Sequence, residues 1–184
     1  MANSTNVTVG KPKVSGAVSV APKGTTMPTD ASSELAVAFK SLGYVSEDGV
    51  VNTNSPESGD IKAWGGDTVL TYLSSKTDTF KFKLIEALNM DVLKTVYGAD
   101  NVEGTLGTGV TIKANSLSND SYAWVIDTLL TGGVLKRIVI PNASITEIGD
   151  VVYKDEEAVG YELTITAVPD TDGNTHYEYI VSGN

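Results

Sequence analysis

The sequence predicts a mainly β fold, an antiparallel β-sandwich or barrel with one short flanking α-helix. Three observations support this. Polar and apolar residues alternate over several short runs bounded by Gly, Pro, Asn and Asp. Helical spacing of apolar residues is clear in one short stretch, so the alternating strand–helix pattern of a parallel sheet does not arise. Glycine is abundant, at 18 of 184 residues, which suits a fold with many turns. A chain of this length supports one domain with a real core, and residues 1–184 are assigned to a single domain.

Residues 1–13 are polar and read as a flexible N-terminal arm, with Val7 and Val9 among its few apolar members. They lack the apolar stretch of a signal peptide. Residues 14–21 suggest a first strand, after which Pro22, Gly24 and Pro28 break the chain. Residues 30–42 admit two readings. One is a short helix capped by Asp30 or Ser32, carrying Leu35, Val37, Ala38 and Phe39 and ended by Gly43. The other is an irregular extended segment.

Residues 44–67 are crowded with turn formers, among them Asn54-Ser55-Pro56, Ser58-Gly59-Asp60 and Gly65-Gly66. A long loop over residues 46–67 is expected, of the kind that is functional or mobile. Within it Ile61, Ala63 and Trp64 form an apolar cluster, packed back on the domain or docked on a neighbour. A hairpin follows, residues 68–74 and 79–85, turning at Lys76, Thr77 and Asp78. In its second strand Phe80, Phe82 and Leu84 oppose Thr79, Lys81 and Lys83.

Then the period changes. Leu88, Val92, Leu93 and Val96 form a helical stripe, with Asn89 as N-cap, Asp91 in the first turn and Gly98 just past the end. A loop at residues 104–109 leads to strands at 110–114, 122–130 and 134–140, the last ended by Pro141. Further strands are expected at 145–153 and 159–168. In the second of these Tyr161, Leu163 and Ile165 share a face opposite Glu162, Thr164 and Thr166. Asp172-Gly173 signals a two-residue hairpin turn into a last strand at 177–181.

The composition excludes several chemistries. There is no cysteine and one histidine, His176. Disulfides, thiolate metal sites, a cysteine nucleophile and any single-chain site needing two imidazoles are therefore ruled out. No Gly-x-Gly-x-x-Gly, Walker A or Gly-x-Ser-x-Gly motif occurs. Asp170-x-Asp172-x-Asn174 opens like a calcium loop, but Thr175 and Val181 stand where such a loop requires glycine and glutamate. A hairpin turn is the better reading, and His176 beside it is expected on the surface. Glu156-Glu157 carries no specific signal of glycosidic acid–base chemistry. No catalytic, metal-binding or cofactor-binding residue is assigned, and neither a cofactor nor an enzymatic activity is expected. No run approaches the roughly 20 apolar residues that span a bilayer, so no membrane partner is expected.

The net charge of −10 is unevenly distributed. Residues 141–184 carry nine acids, among them Glu147, Asp150, Glu157 and Glu162, but one base, Lys154. The basic patch that binds the outside of a nucleic acid is missing. The acidic surface is read either as a solvated face or as one that repels phosphate.

Four blocks carry a resemblance. They are Gly16 to Ala31 (GAVSVAPKGTTMPTDA), Phe39 to Val50 (FKSLGYVSEDGV), Ile61-Lys62-Ala63-Trp64 before Gly65-Gly66-Asp67, and Phe80 through Leu84-Ile85-Glu86 into the helix ending Val96-Tyr97-Gly98. In this order they resemble tail tube proteins of bacteriophages with long, non-contractile tails (siphophages). The second half is similar through strand pattern and length.

The resemblance implies two antiparallel sheets with a helix at the flank. It implies hexameric rings whose inner strands form one continuous barrel, stacked into a hollow tube that conducts DNA from capsid to host. The N-terminal arm and the 46–67 loop would bridge subunits and rings, which makes Val7, Val9, Ile61, Ala63 and Trp64 contact candidates. Glu147 and Glu162 are candidates for an acidic lumen wall, since they lie in expected strands. The implied partners are further copies of the chain and the tape measure, tail terminator and baseplate proteins, with DNA passing unbound. The implied location is the virion tail, after assembly in the host cytoplasm. The runner-up reading is a monomeric β-sandwich adhesin or carbohydrate-binding module, with 46–67 as binding loop and Trp64 as stacking platform.

Overall fold

The computed structural model describes residues 2–13, 16–115 and 120–182. Its strands are β1 (Gly10–Pro12), β2 (Val18–Pro22), β3 (Lys40–Ser41), β4 (Val45–Lys62), β5 (Thr68–Leu84), β6 (Val102–Thr105), β7 (Gly109–Ile112), β8 (Ser121–Leu130), β9 (Val134–Ile148), β10 (Tyr161–Ala167) and β11 (Tyr177–Val181). One α-helix, α1 (Met90–Tyr97), follows β5. All strand pairs are antiparallel, and the main sheet runs β3-β2-β8-β9-β10-β5-β4, with β6 and β7 forming a small separate sheet that narrows the loop expected at 104–109 to a turn at 106–108. The mainly β expectation holds.

The centre of the sheet is the β8–β9 hairpin. Each outer edge of this hairpin is covered by a strand broken in two. On β8, β2 pairs with Tyr122–Ile126 and β1 with Thr128–Leu130. On β9, β10 pairs with Ala143–Ile148 and β11 with Leu135–Val139. The N-terminal segment expected as a flexible arm is therefore laid along β8 at residues 10–12, and Thr131 N–H is bonded by Thr8 Oγ1 at 3.0 Å.

One face of this sheet holds the core. Val18, Val20, Phe80, Phe82, Leu84, Trp124, Ile126, Ile140, Leu163 and Ile165 are buried there. Each such apolar side chain contributes roughly 1.5–3 kcal/mol by leaving water. Trp124 donates its indole N–H to the Ala143 carbonyl at 3.3 Å and meets Phe82 edge-to-face at 5.9 Å. Helix α1 lays Val92, Leu93 and Val96 on this core. Its caps form as the sequence expects, Asn89 accepting from Asp91 N–H and Gly98 ending it at φ 91°, but Leu88, expected in the stripe, precedes the helix and is exposed.

The opposite face of β8–β9 is buried as well. Ala21, Ala123, Val125 and Val139 lie there together with Arg137, which is 1% exposed. Arg137 grips Asp127 at 2.6 and 3.1 Å, and its remaining amino group donates to the carbonyls of Asp30 and Ser33 at 3.1 and 2.9 Å. A helix would use those two carbonyls internally. Arg137 takes them instead, and of the two readings of residues 30–42 the irregular extended one is observed.

Three strand expectations are corrected. Pro141 does not end its strand: β9 continues through it to Ile148, replacing the strand expected at 145–153. Proline is tolerated because the β8 register shifts between Tyr122 and Trp124, while on the other edge β10 has ended and β11 has not begun. Residues 68–84 are one strand, not a hairpin turning at 76–78. Finally, the Asp172-Gly173 turn does form, with Gly173 at φ 83°, but the strands it joins lie end to end along β9 rather than pairing with each other.

Candidate assembly surface

Residues 46–67, expected as a long loop, form most of β4 and a tight turn, and β4 pairs with β5 from Val50 to Lys62 and again at Val45, residues 46–49 bulging out of the ladder. The reversal falls at Gly65 (φ 123°) and Gly66 (φ 100°), conformations that side chains rarely adopt. Ala63 closes the turn, its N–H donating to Asp67 at 2.8 Å and its carbonyl accepting from Gly66 at 3.0 Å. The outcome is a long two-stranded ribbon.

Its root belongs to the body, since β5 pairs with β10 from Leu84 to Thr79. Beyond Asp78 the ribbon projects into solvent. Residues 53–58 and 60–77 are all exposed, and Gly59 is half-buried under the ring of Tyr72. The side-chain hydrogen bonds of this part stay within the ribbon: Thr71 to Asp60 at 2.7 Å, Ser74 to the Glu57 carbonyl at 3.0 Å and Ser75 to Glu57 at 2.8 Å.

The outer part of this free ribbon carries exposed apolar residues. Ile61 and Leu70 face each other in register, and Val69, Tyr72 and Leu73 are likewise exposed. At the tip Trp64 is fully exposed, at 103% of its reference surface. Scattered apolar surface residues need no explanation, but this cluster on an isolated two-stranded hairpin does, because such hairpins are marginal in water alone. Of the candidates read from sequence, the ribbon brings Ile61, Ala63 and Trp64 together. Val7 and Val9 lie apart, beside the start of β1, and are 76% and 70% exposed. Val69, Leu70, Tyr72 and Leu73 were not anticipated, although a run of Val, Leu, Tyr and Leu outside any alternation was a usable signal.

At the ribbon's root lies Asp78. It is fully buried and accepts from Asn52 Nδ2 at 2.8 Å, Thr175 Oγ1 at 2.5 Å and His176 Nδ1 at 2.6 Å. Burial alone would raise its carboxyl, but the bonds from Thr175, Asn52 and His176 outweigh burial and hold it below the ordinary aspartate value. His176 is thus no surface residue. Its side chain is 15% exposed, and its ring stands edge-to-face on Phe80 at 5.3 Å.

Glu147 and Glu162 sit on neighbouring strands, β9 and β10, on the side facing away from the core. Glu162 is paired with Lys81 at 2.8 Å, and Glu147 accepts from Thr164 at 3.4 Å. Nearby, Glu157 is clamped by Lys154 at 2.5 Å and Lys83 at 2.7 Å, which lowers its carboxyl to about 2. The surface is therefore one of mixed charge with hydroxyls between, Thr146 and Thr166 being bonded at 2.8 Å. Asp170 is engaged by its own turn, accepting from Asp172 N–H, Asn174 N–H and Tyr177 Oη. Among the described residues no group of three or more His, Asp or Glu gathers to hold a metal ion.

A family model described as phage tail tube protein matches residues 1–183. The chain belongs to the phage tail tube protein family. The tail tube subunit is thus a structural component of the virion tail, in keeping with its antiparallel fold and flanking helix. Comparison of this tail tube protein with curated proteins finds no match.

Proposed function

We propose that six copies of this subunit close into a ring and that rings stack into a hollow tube conducting DNA from capsid to host. The observation that carries the reading is the β4–β5 ribbon with its exposed Trp64, on a chain matched by the tail tube family over residues 1–183. The ribbon docks on a neighbouring copy through Ile61, Ala63 and Trp64, and Val7 and Val9 add a second contact. Strand β11 supports ring closure: it pairs only with β9 among the described residues, and Ile180 on it is 61% exposed. An open edge of this kind invites another strand, and a closed barrel removes it. Stacking is a head-to-tail contact that does not close on itself, so it generates a filament.

The face carrying Glu147 and Glu162 lines the lumen. With Lys81 paired to Glu162 and Glu157 held by Lys83 and Lys154, its repulsion of phosphate is concentrated at Glu147, the acid of this group that no lysine pairs among the described residues. Salt limits that repulsion to about 8–10 Å. The tube is assembled in the host cytoplasm and meets tape measure, tail terminator and baseplate proteins at its inside and ends. Negative-stain electron microscopy of concentrated protein tests the assembly. Tubes of uniform width with a stained centre, or closed rings, are expected, and particles that stay monomeric at every concentration would overturn the reading.

A further inference from the structure

The backbone ladder joining the ribbon to the body ends at Thr79, the last residue of β5 paired with β10. The next residue outward is Asp78, which lies on the core-facing side with Phe80, Phe82 and Leu84. A carboxylate in such a place costs free energy unless its acceptors are filled. Here they are filled from two other segments. Asn52 comes from β4, and Thr175 and His176 come from the connection between β10 and β11. That connection is itself pinned by the Asp170 turn and by the His176–Phe80 ring contact.

We infer that Asp78 is a positioning residue: its carboxylate ties three chain segments together and so fixes the angle at which the ribbon leaves the body. A ribbon held only by the β5–β10 ladder can pivot about its last pair. The bonds to Thr175 and His176 brace it from outside that ladder. The leverage is large. From Asn54 to Trp64 the ribbon spans about 33 Å at ~3.3 Å per residue. A pivot of about 10° at the root therefore moves the tip by about 6 Å, more than the ~4.5 Å reach of an apolar contact. The consequence for tube formation rests on the ribbon being the docking element proposed above; the brace itself does not.

The chain has no native cysteine, so a spin-label pair at Lys62→Cys and Lys94→Cys is unique. Both positions are exposed, one near the ribbon tip and one on α1. Electron–electron distance measurements are made on labelled subunit diluted into unlabelled protein, alone and with Asp78→Ala, His176→Phe or Asn52→Ala. His176→Phe keeps a ring against Phe80 and removes only the donor. One narrow distance peak is expected for the parent, broadened at least twofold in folded His176→Phe and Asn52→Ala, with tube yield falling in step. An unchanged distribution in both folded variants would overturn the inference. A broadened distribution with parental tube yield would support the brace and overturn the ribbon's role in assembly.

Discussion

Replacing Trp64 by alanine separates the folding of the subunit from its assembly. In the free subunit Trp64 is fully exposed, so its indole contributes no packing there. Truncation is therefore expected to change subunit stability by no more than about 0.5 kcal/mol, the ordinary range for a surface site. In the docking proposed above the same ring is buried against a neighbouring copy. An aromatic side chain covers about 150–250 Å², which at about 25 cal/mol per Å² amounts to roughly 4–6 kcal/mol as an upper bound. Ordering of the ribbon offsets part of this, and a loss of about 2 kcal/mol is typical of an interface anchor. That corresponds to a roughly 30-fold higher critical concentration for polymerisation, at 1.4 kcal/mol per factor of ten. The assay pairs sedimentation of polymer over a concentration series with urea unfolding of unassembled subunit. An unchanged critical concentration would refute the assignment of Trp64 to the interface. A fall in subunit stability above about 2 kcal/mol would refute its exposure in the free chain.

Two other outcomes follow from the body. Arg137→Met strips half-buried Asp127 of its two-pronged partner, leaving Lys13 at 3.7 Å, and frees the 30–33 segment, so a loss of about 1.5–3 kcal/mol is expected in urea unfolding. A loss under about 1 kcal/mol would show that Arg137 is not the clamp of that face. Asp78 and Glu157 both have lowered carboxyls in the folded state, Glu157 at about 2 against an ordinary 4.5. Their stabilisation is present above the ordinary carboxylate range and fades as pH falls through the folded values. Stability should thus decline below about pH 4.5, with a shallower decline in Glu157→Gln, and parallel profiles for the two proteins would refute the pairing with Lys83 and Lys154.

The sequence speaks clearly where one side of a segment is buried and the other wet. Phe80, Phe82 and Leu84 alternate because the core lies on one side of β5, and Tyr161, Leu163 and Ile165 do so for the same reason on β10. Helix α1 was legible from its stripe and from Asn89. The ribbon was not. Both of its faces meet water in the free subunit, so no alternation marks it, and Asn54-Ser55-Pro56 and Ser58-Gly59-Asp60 pass for turns although all six residues lie in β4. Pro141 misled in the opposite sense, since its missing N–H matters only where a neighbouring strand calls for it. Asp78 continues the even-numbered row of Phe80, Phe82 and Leu84, and that parity was a readable sign of burial. Its partners Thr175 and His176 lie nearly a hundred residues away, beyond the reach of any local pattern. Of the seven candidate residues, the fold groups Ile61, Ala63 and Trp64 on one tip, sets Glu147 and Glu162 on one face, and leaves Val7 and Val9 apart.

The broken strands beside the β8–β9 hairpin bear on how this chain tolerates changes of length. Because β10 and β11 each take their register from β9 and not from one another, the segment between them carries no alignment information. Extra residues placed between Asp172 and Gly173, at the exposed tip that the Asp170–Asn174 bonds enclose and clear of the Asp78 bonds, would lengthen a turn without shifting either strand. The entropic penalty of a longer loop grows only slowly, by about 0.6 kcal/mol for each doubling. A peptide inserted there would leave the pairing of β10 and β11 with β9 in place, so what this turn displays is separable from how the sheet is aligned.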